Sequence, residues 1–364
     1  MVIFISKYKI LINGCGGIAN AWLNTLSEID AEKPGLIEVV GVCDPIPSQF
    51  KKLENFPITK GKNIPTFSDA SLAYKELEVD ITIILTPPQL HTRYAHEAIM
   101  NLSHVISEKP MFIDMNQYRH VREIIKMANE NDLVLVANQQ YRWMPRIQAI
   151  RKAVREKLIG NVEFVISRFI QNRYHFNDWW RSQHEDMSQL NWWIHEYDSM
   201  RAMLDSNPKI VRAKLLRPSW SKIYGESFIF LHVTFENGTE WSFSAGQEGV
   251  SAYQDSNHTT FEMFGSKGAI RNMRDESPKA YIEQPGKDPL VIDLGGMIEN
   301  ENKLTYPPGW KITFMKTIEA IETGQKHETC YEDNIWTMAI AMCARESHRR
   351  GGCPVIVKEY MNLE

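Results

Sequence analysis

The chain reads as an α/β protein: a doubly wound parallel sheet followed by an α+β domain built on a mostly antiparallel sheet. Three observations predict this. Strand and helix signals alternate from Tyr8 to Ala137, and the strands are short apolar runs of the kind buried on both faces. After Arg142 the order changes to a helix, a series of strands and two late helices. Between two of those strands stands Asn237-Gly238, a strong hairpin signal. The change of grammar puts the boundary at Arg142, giving domains 1–142 and 143–364.

In the first domain, strands are predicted at Ile10–Asn13, Glu38–Cys43, Ile81–Leu85, Val105–Ser107 and Leu133–Ala137. Helices are predicted between them at Ser68–Leu77, His91–Asn101 and Asn116–Asn131. The second domain opens with a helix over Pro145–Lys157 and an alternating strand over Val162–Ile170. An aromatic-rich stretch and a helix over Ser188–Leu204 follow. Strands come next at Val211–Leu216, Ser227–Phe235, Glu240–Ala245 and Thr259–Gly265. Helices at Trp310–Thr323 and Glu332–Arg350 close the chain. No internal repeat or low-complexity linker interrupts this order.

The bulk numbers exclude several classes. The chain has 364 residues, enough for two ordinary cores, with 43% hydrophobic and 24% charged residues. A net charge of −4 carries no general signal for nucleic acid or a membrane surface. Val2–Ile5 is too short for a signal-peptide core, and no run is long enough to span a bilayer. Five cysteines, an odd number without paired short spacing, predict reduced thiols in a cytoplasm.

The chemistry begins at Tyr8-Lys-Ile-Leu-Ile-Asn-Gly14-Cys15-Gly16-Gly17-Ile18-Ala19. This is a strand, a glycine turn and a helix start, with the G-x-G-x-x-A spacing of a dinucleotide fingerprint. Gly14 makes the tight turn, Gly16 lets a pyrophosphate approach the backbone, and Ala19 lets helix and strand pack closely. The helix start favours an anion. Asp44 ends the second strand, where its carboxylate accepts bonds from the adenosine ribose and repels a 2′-phosphate. The following Pro45-Ile46-Pro47-Ser48 holds no arginine. NAD is therefore expected rather than NADP, the alternative being that Asp44 only caps the next helix. Cys15 is either an oxidisable thiol or a small residue that fits the turn.

Two more constellations fall at the carboxyl ends of predicted strands, where open α/β sheets bind ligands. Thr86-Pro87-Pro88 forms a rigid turn that can pack on the cofactor, and His91 begins the next helix. Its ring is expected either to touch a ribose or to be solvated. Ser107-Glu108-Lys109-Pro110 ends the following strand. The proline holds Lys109 extended near the expected nicotinamide, where an ammonium can bind a substrate hydroxyl and shuttle its proton. Glu108 beside it joins the expected cofactor set.

In the second domain, Asn191, His195 and Asp198 share one face of a helix at α spacing. His195 can take the proton of an alcohol, with Asp198 or a neighbour orienting its ring. The alternative is a histidine satisfied in a core. Four of the ten tryptophans, at 179, 180, 192 and 193, crowd one stretch with Tyr174, His175 and Phe176. Trp180 and Arg181 suit the flat faces and hydroxyl rim of a sugar, or the aromatics are domain-interface core. Arg168, Arg173 and Arg181 are candidates for an anionic group on the substrate. No metal-ligand spacing, nucleophile elbow or phosphate loop is present.

Together these motifs resemble the glucose-fructose oxidoreductase, inositol dehydrogenase and rhizopine catabolism family (Gfo/Idh/MocA), nearly end to end. The resemblance rests on the glycine turn, Asp44, Thr86-Pro87-Pro88 with His91, and Glu108-Lys109-Pro110. It rests also on Tyr141-Arg142 with Pro145, His195-x-x-Asp198, and Phe264-Gly265-Ser266-Lys267-Gly268. It implies a Rossmann domain followed by an α+β domain whose large, open sheet forms homodimer or homotetramer contacts. It further implies NAD(P)-dependent oxidation or reduction of a ring hydroxyl of a sugar, polyol or nucleotide sugar. By position, Lys109 and His195 match the family's catalytic lysine and histidine. Asn191 stands where the family usually has Asp, and Trp193 where Gly is common. Asn does not titrate, so Asn191 is expected to bind a substrate hydroxyl rather than extend a proton relay.

The expected function is hydride transfer between NAD and a secondary alcohol or ketone of a carbohydrate-like substrate. Lys109 and His195 handle the proton, and Arg142, Arg168, Trp180, Arg181 and Asn191 complete the substrate set. Two alternatives are a non-catalytic NAD-binding sensor and a glycosidase that uses NAD without net redox change.

Overall fold

The computed structural model describes residues 8–171, 188–249, 260–272, 279–293 and 309–363. The aromatic-rich stretch, with Tyr174, Trp179, Trp180 and Arg181, lies outside them. The chain divides into two compact units, and the division is not a single cut. Met1–Gln140 with Tyr306–Asn334 forms the first; Tyr141–Thr305 with Ile335–Glu364 forms the second.

In chain order, the strands up to residue 170 are β1 (Tyr8–Asn13), β2 (Ile37–Cys43), β3 (Thr66–Phe67), β4 (Ile81–Ile84), β5 (His104–Glu108), β6 (Leu135–Asn138) and β7 (Val162–Ile170). The later strands are β8 (Pro208–Leu216), β9 (Phe228–Phe235), β10 (Glu240–Gly246), β11 (Thr260–Gly265), β12 (Gly268–Asn272), β13 (Lys279–Glu283), β14 (Leu290–Asp293) and β15 (Val355–Ile356). The α-helices are α1 (Ala19–Glu32), α2 (Ala70–Glu76), α3 (His91–Met100), α4 (Met115–Glu130), α5 (Pro145–Arg155), α6 (Ile194–Leu204), α7 (Gly309–Thr323), α8 (Tyr331–Arg349) and α9 (Val357–Met361).

In the first unit the described strands form one sheet in the order β3-β2-β1-β4-β5-β6. Every pairing in it is parallel. That is the doubly wound Rossmann order, with its switch between β1 and β4. Parallel strands covered on both faces need apolar residues throughout, and β4 and β6 are buried at all positions. Asp69 and Asp114 start α2 and α4 by accepting bonds from main-chain N–H groups two or three residues on. Ile10, Ile12, Trp22, Leu26 and Ile83 make one core with Trp310, Phe314 and Ile318 of α7. This packing returns a late segment to the first unit.

The second unit carries a mixed, mostly antiparallel sheet, ordered β14-β13-β12-β11-β7-β10-β9-β8-β15 among the described residues. Its one parallel pairing is β7 with β10. The Asn237-Gly238 turn joins β9 and β10 as predicted, with Gly238 at φ +90°. Alternation gives the sheet two faces. Val165, Ser167, Phe169, Trp241 and Phe243 point inward, where Tyr197 of α6 meets both Trp241 and Phe243 edge-on. The other face exposes Phe164, Ile166 and Phe230 at 43%, 51% and 56%.

The predicted helix over Ser188–Leu204 differs in one respect. Ser188–Trp193 is a π-helical turn, and α geometry begins at Ile194. A π turn holds more residues than an α turn. The expected alignment of Asn191 with His195 therefore does not follow from α spacing.

Candidate active site

The glycine turn is sewn to both neighbouring strands. Gly14 N–H donates to the Cys43 carbonyl at 2.8 Å, and Leu85 N–H donates to the Asn13 carbonyl at 2.7 Å. Gly14 sits at φ +106°, and a Cβ there would lie 2.7 Å from the Leu85 carbonyl carbon. Only glycine fits both the angle and the approach. By contrast, a Cβ on Gly16 or Gly17 would meet nothing within 4 Å. The N–H groups of Gly16, Gly17 and Ile18 find no acceptor among the described residues. α1 then begins without a side-chain cap and without an acidic residue in its first turn. Open space beside three unused donors and a helix start is a site for an anion, and the diphosphate of a dinucleotide fits it.

Asp44 has a main-chain role in this structure. Its Oδ2 accepts from Cys15 N–H and its Oδ1 from Ile46 N–H, both at 2.8 Å. The carboxylate thus holds the glycine turn and the start of the next loop together, and each oxygen keeps acceptor capacity for a hydroxyl. Cys15 is the small residue that fits. Burial pushes its thiol up to about 11, so it is not a thiolate at neutral pH.

At the carboxyl ends of β4 and β5 the structure decides the environment of His91. The ring is 1% exposed, not solvated. Nδ1 lies 2.7 Å from the Pro110 carbonyl and Nε2 lies 2.7 Å from the Thr86 carbonyl. What His91 offers the cofactor therefore passes through the two backbones it joins: the Thr86-Pro87-Pro88 turn and the segment carrying Lys109. Lys109 is half-buried, and its peptide bond to Pro110 is cis.

Glu108 has a role that sequence reasoning missed. It is buried, and its Oε1 accepts from Trp22 Nε1 at 3.0 Å, Asn138 Nδ2 at 2.8 Å and Trp310 Nε1 at 3.2 Å. One carboxylate oxygen thereby ties α1, β6 and α7 to the end of β5. Three donors on a buried carboxylate satisfy it without a counter-ion.

In the second unit, two of the predicted site residues pair with each other. Arg142, expected to bind substrate, turns its guanidinium onto Asp198: Nε to Oδ2 at 3.0 Å, and a terminal nitrogen to Oδ1 at 2.6 Å. Thr337 Oγ1 adds a third bond to Asp198 at 2.9 Å, and Arg201 donates to Thr337 at 2.8 Å. Asp198, expected as a possible partner for the His195 ring, is occupied by this buried network. A carboxylate with no exposed surface needs an opposite charge, and Arg142 supplies it. His195 instead stacks on Tyr141, with ring centroids 4.1 Å apart and 15° between planes. Asn191 and His195 are both buried. Arg168 is exposed on the outer face of the sheet, opposite the face on which α6 packs. The structure therefore does not bring Arg168 to His195 within the unit. Trp180 and Arg181 lie outside the described residues, among which no group of three metal-ligating side chains comes together.

Comparison with known proteins fits this geometry. Residues 8–139 match the family model described as "Oxidoreductase family, NAD-binding Rossmann fold". Residues 147–271 match the "GFO/IDH/MocA C-terminal domain". A 1,5-anhydro-D-fructose reductase from Ensifer adhaerens is 23% identical over 75% of this chain and 79% of its own. An oxidoreductase from Agrobacterium radiobacter, solved with NAD+, L-tartaric acid and magnesium, superposes with a TM-score of 0.84 at 18% identity. The match spans 97% of this chain and 99% of that one. Levoglucosan dehydrogenase, solved with NADH and levoglucosan, gives 0.78 at 16% identity, over 97% of this chain and all of its own. At such identities the likeness to the solved structures is one of fold. The two family models together cover most of the sequence, so the chain belongs to the Gfo/Idh/MocA oxidoreductases, with its NAD-binding Rossmann domain built on the turn that begins at Gly14.

Proposed function

We propose that the protein moves a hydride between NAD and a secondary alcohol or ketone of a sugar, polyol or sugar derivative, with Lys109 and His195 handling the proton. The observation that carries this is the setting of Lys109. It is half-buried at the carboxyl end of β5, in the sheet whose β1 end carries the glycine turn. Its backbone is anchored on both sides, through Glu108 on one and the Pro110 carbonyl on the other. A lysine meant only for solvent needs no such anchoring. Bound NAD supplies the hydride acceptor. Lys109 donates a hydrogen bond to the carbinol oxygen and stabilises the charge that develops there. His195, its ring held by the Tyr141 stack, takes the proton, and Asn191 binds a further hydroxyl. A reductase of an anhydro sugar among the relatives supports a carbohydrate-like substrate.

The test is nicotinamide absorbance with NAD or NADH against inositols, free sugars, sugar phosphates and nucleotide sugars. One chemical group is expected to produce or consume NADH. Silence in both directions, with dinucleotide binding confirmed, contradicts the proposal and favours the sensor.

Asp44 carries the preference for NAD over NADP. Asp44→Ala is expected to weaken NADH binding about tenfold, the loss of one charge-assisted hydrogen bond. NADPH binding should change far less. Equal losses for the two, measured by titration, would remove the ribose role and leave only the main-chain one.

In the same proposal, the first unit holds the cofactor, and the second, Tyr141–Thr305 with Ile335–Glu364, holds the substrate and the oligomer contact. Phe164 stacks on Phe264 at 4.6 Å, and with Ile166 and Phe230 gives the outer sheet face an exposed apolar patch. A homodimer or homotetramer through this face is expected in a reducing cytoplasm. Ile166→Asp with Phe230→Asp should yield monomers in sedimentation. An unchanged mass places the contact elsewhere.

A further inference from the structure

The main-chain donors at the glycine turn have a charged neighbour that the sequence pattern does not mark. A 3-10 helical segment, Pro47–Asn55, follows Asp44 and carries Lys52. The Lys52 side chain is half-buried, and its Nζ donates to the Gly16 carbonyl at 2.7 Å. An ammonium has three donors. One is used here, and the other two find no acceptor among the described residues. Lys52 also acts electrostatically on the Cys15 thiol, against the effect of burial. Two opposite charges therefore grip the turn. Asp44 holds it by the Cys15 N–H, and Lys52 by the Gly16 carbonyl. The space beside Gly16 and Gly17 is open.

We propose that Lys52 is a further cofactor-binding residue, an ammonium that joins the N–H groups of Gly16, Gly17 and Ile18 in holding the diphosphate of NAD. The inference rests on the NAD-binding role of the turn and deepens it. A diphosphate brings two negative charges. The start of α1 supplies only the equivalent of about half a positive charge, with no basic side chain of its own there. Lys52 adds a full charge at a position fixed by its bond to Gly16. Its remaining donors are the part of the arrangement that holding the turn alone does not require.

The test uses the full chain and the variants Lys52→Met and Lys52→Arg. Binding of NADH, ADP-ribose and adenosine is measured at low and high salt, together with the thermal midpoint of the ligand-free protein. Lys52→Met should bind NADH and ADP-ribose about tenfold more weakly at low salt, the effect of one charge-assisted hydrogen bond. Adenosine, which lacks phosphate, should bind as before, and the salt dependence of NADH binding should flatten. Any fall in the ligand-free midpoint from the lost Gly16 bond should leave adenosine binding intact, and Lys52→Arg should recover most of the affinity. Equal losses for adenosine and ADP-ribose, with a lowered ligand-free midpoint, would show that Lys52 only pins the turn and would overturn the proposal. Unchanged NADH affinity would overturn it as well. If the unaltered protein binds none of the three ligands, the NAD reading itself falls, a result distinct from either.

Discussion

Lys109→Met is expected to lower kcat about a thousandfold while leaving NADH affinity within about threefold, within the range observed for removing a positioned proton-transfer group. Methionine keeps much of the length and apolar stem of lysine and loses only the ammonium. The backbone should stay in place, because its two anchors do not involve the Lys109 side chain. Glu108 is held by Trp22, Asn138 and Trp310, and the Pro110 carbonyl by His91. Lys109→Arg should not restore turnover. A guanidinium spreads its charge over a longer, planar fork, so it does not set the compact single donor of Lys109 on the carbinol oxygen. Steady-state kinetics on the substrate group found by absorbance, beside NADH titration, check both variants. Turnover like that of the unaltered protein in Lys109→Met would remove the lysine from the chemistry.

The second large effect concerns stability. Asp198→Ala is expected to cost about 4 kcal/mol, because it leaves the buried Arg142 guanidinium without its counter-ion. For a unit of this size the thermal midpoint should fall by on the order of 10 °C. Arg142→Met combined with Asp198→Leu should cost less than Asp198→Ala alone, since neither charge is then stranded. Calorimetry distinguishes the two outcomes. A single variant that melts like the unaltered protein would mean that water reaches and solvates the Arg142 guanidinium, and the buried pair would lose its assigned weight.

How much of this was legible in the sequence depends on the range over which each feature is encoded. The Gly14 turn was legible because its demand is local: a positive φ and a backbone approach written within six residues. The Rossmann order followed from strands that are apolar throughout, and the β9–β10 hairpin from Asn237-Gly238. The short strands β3, β12, β13, β14 and β15 were missed, because two to five residues do not establish a period. Glu108 was noticed only as the neighbour of Lys109. Its donors stand 86, 30 and 202 residues away, and no local pattern announces such a meeting. Arg142 and Asp198 were each singled out for chemistry, yet 56 residues separate the two halves of one buried ion pair. Nothing local marks Lys52 either, since the Gly16 carbonyl it reaches lies 36 residues away.

The most direct test of the central claim, hydride transfer from a carbinol carbon, is isotopic. The protein is incubated with NAD and either perdeuterated myo-inositol or perdeuterated glucose, and the nicotinamide and sugar products are weighed by mass spectrometry. The account predicts NADH carrying one deuterium and a ketone product lacking it, both suppressed in Lys109→Met. A product altered with its deuterium retained and no net NADH, or NADH formed without deuterium, would contradict it.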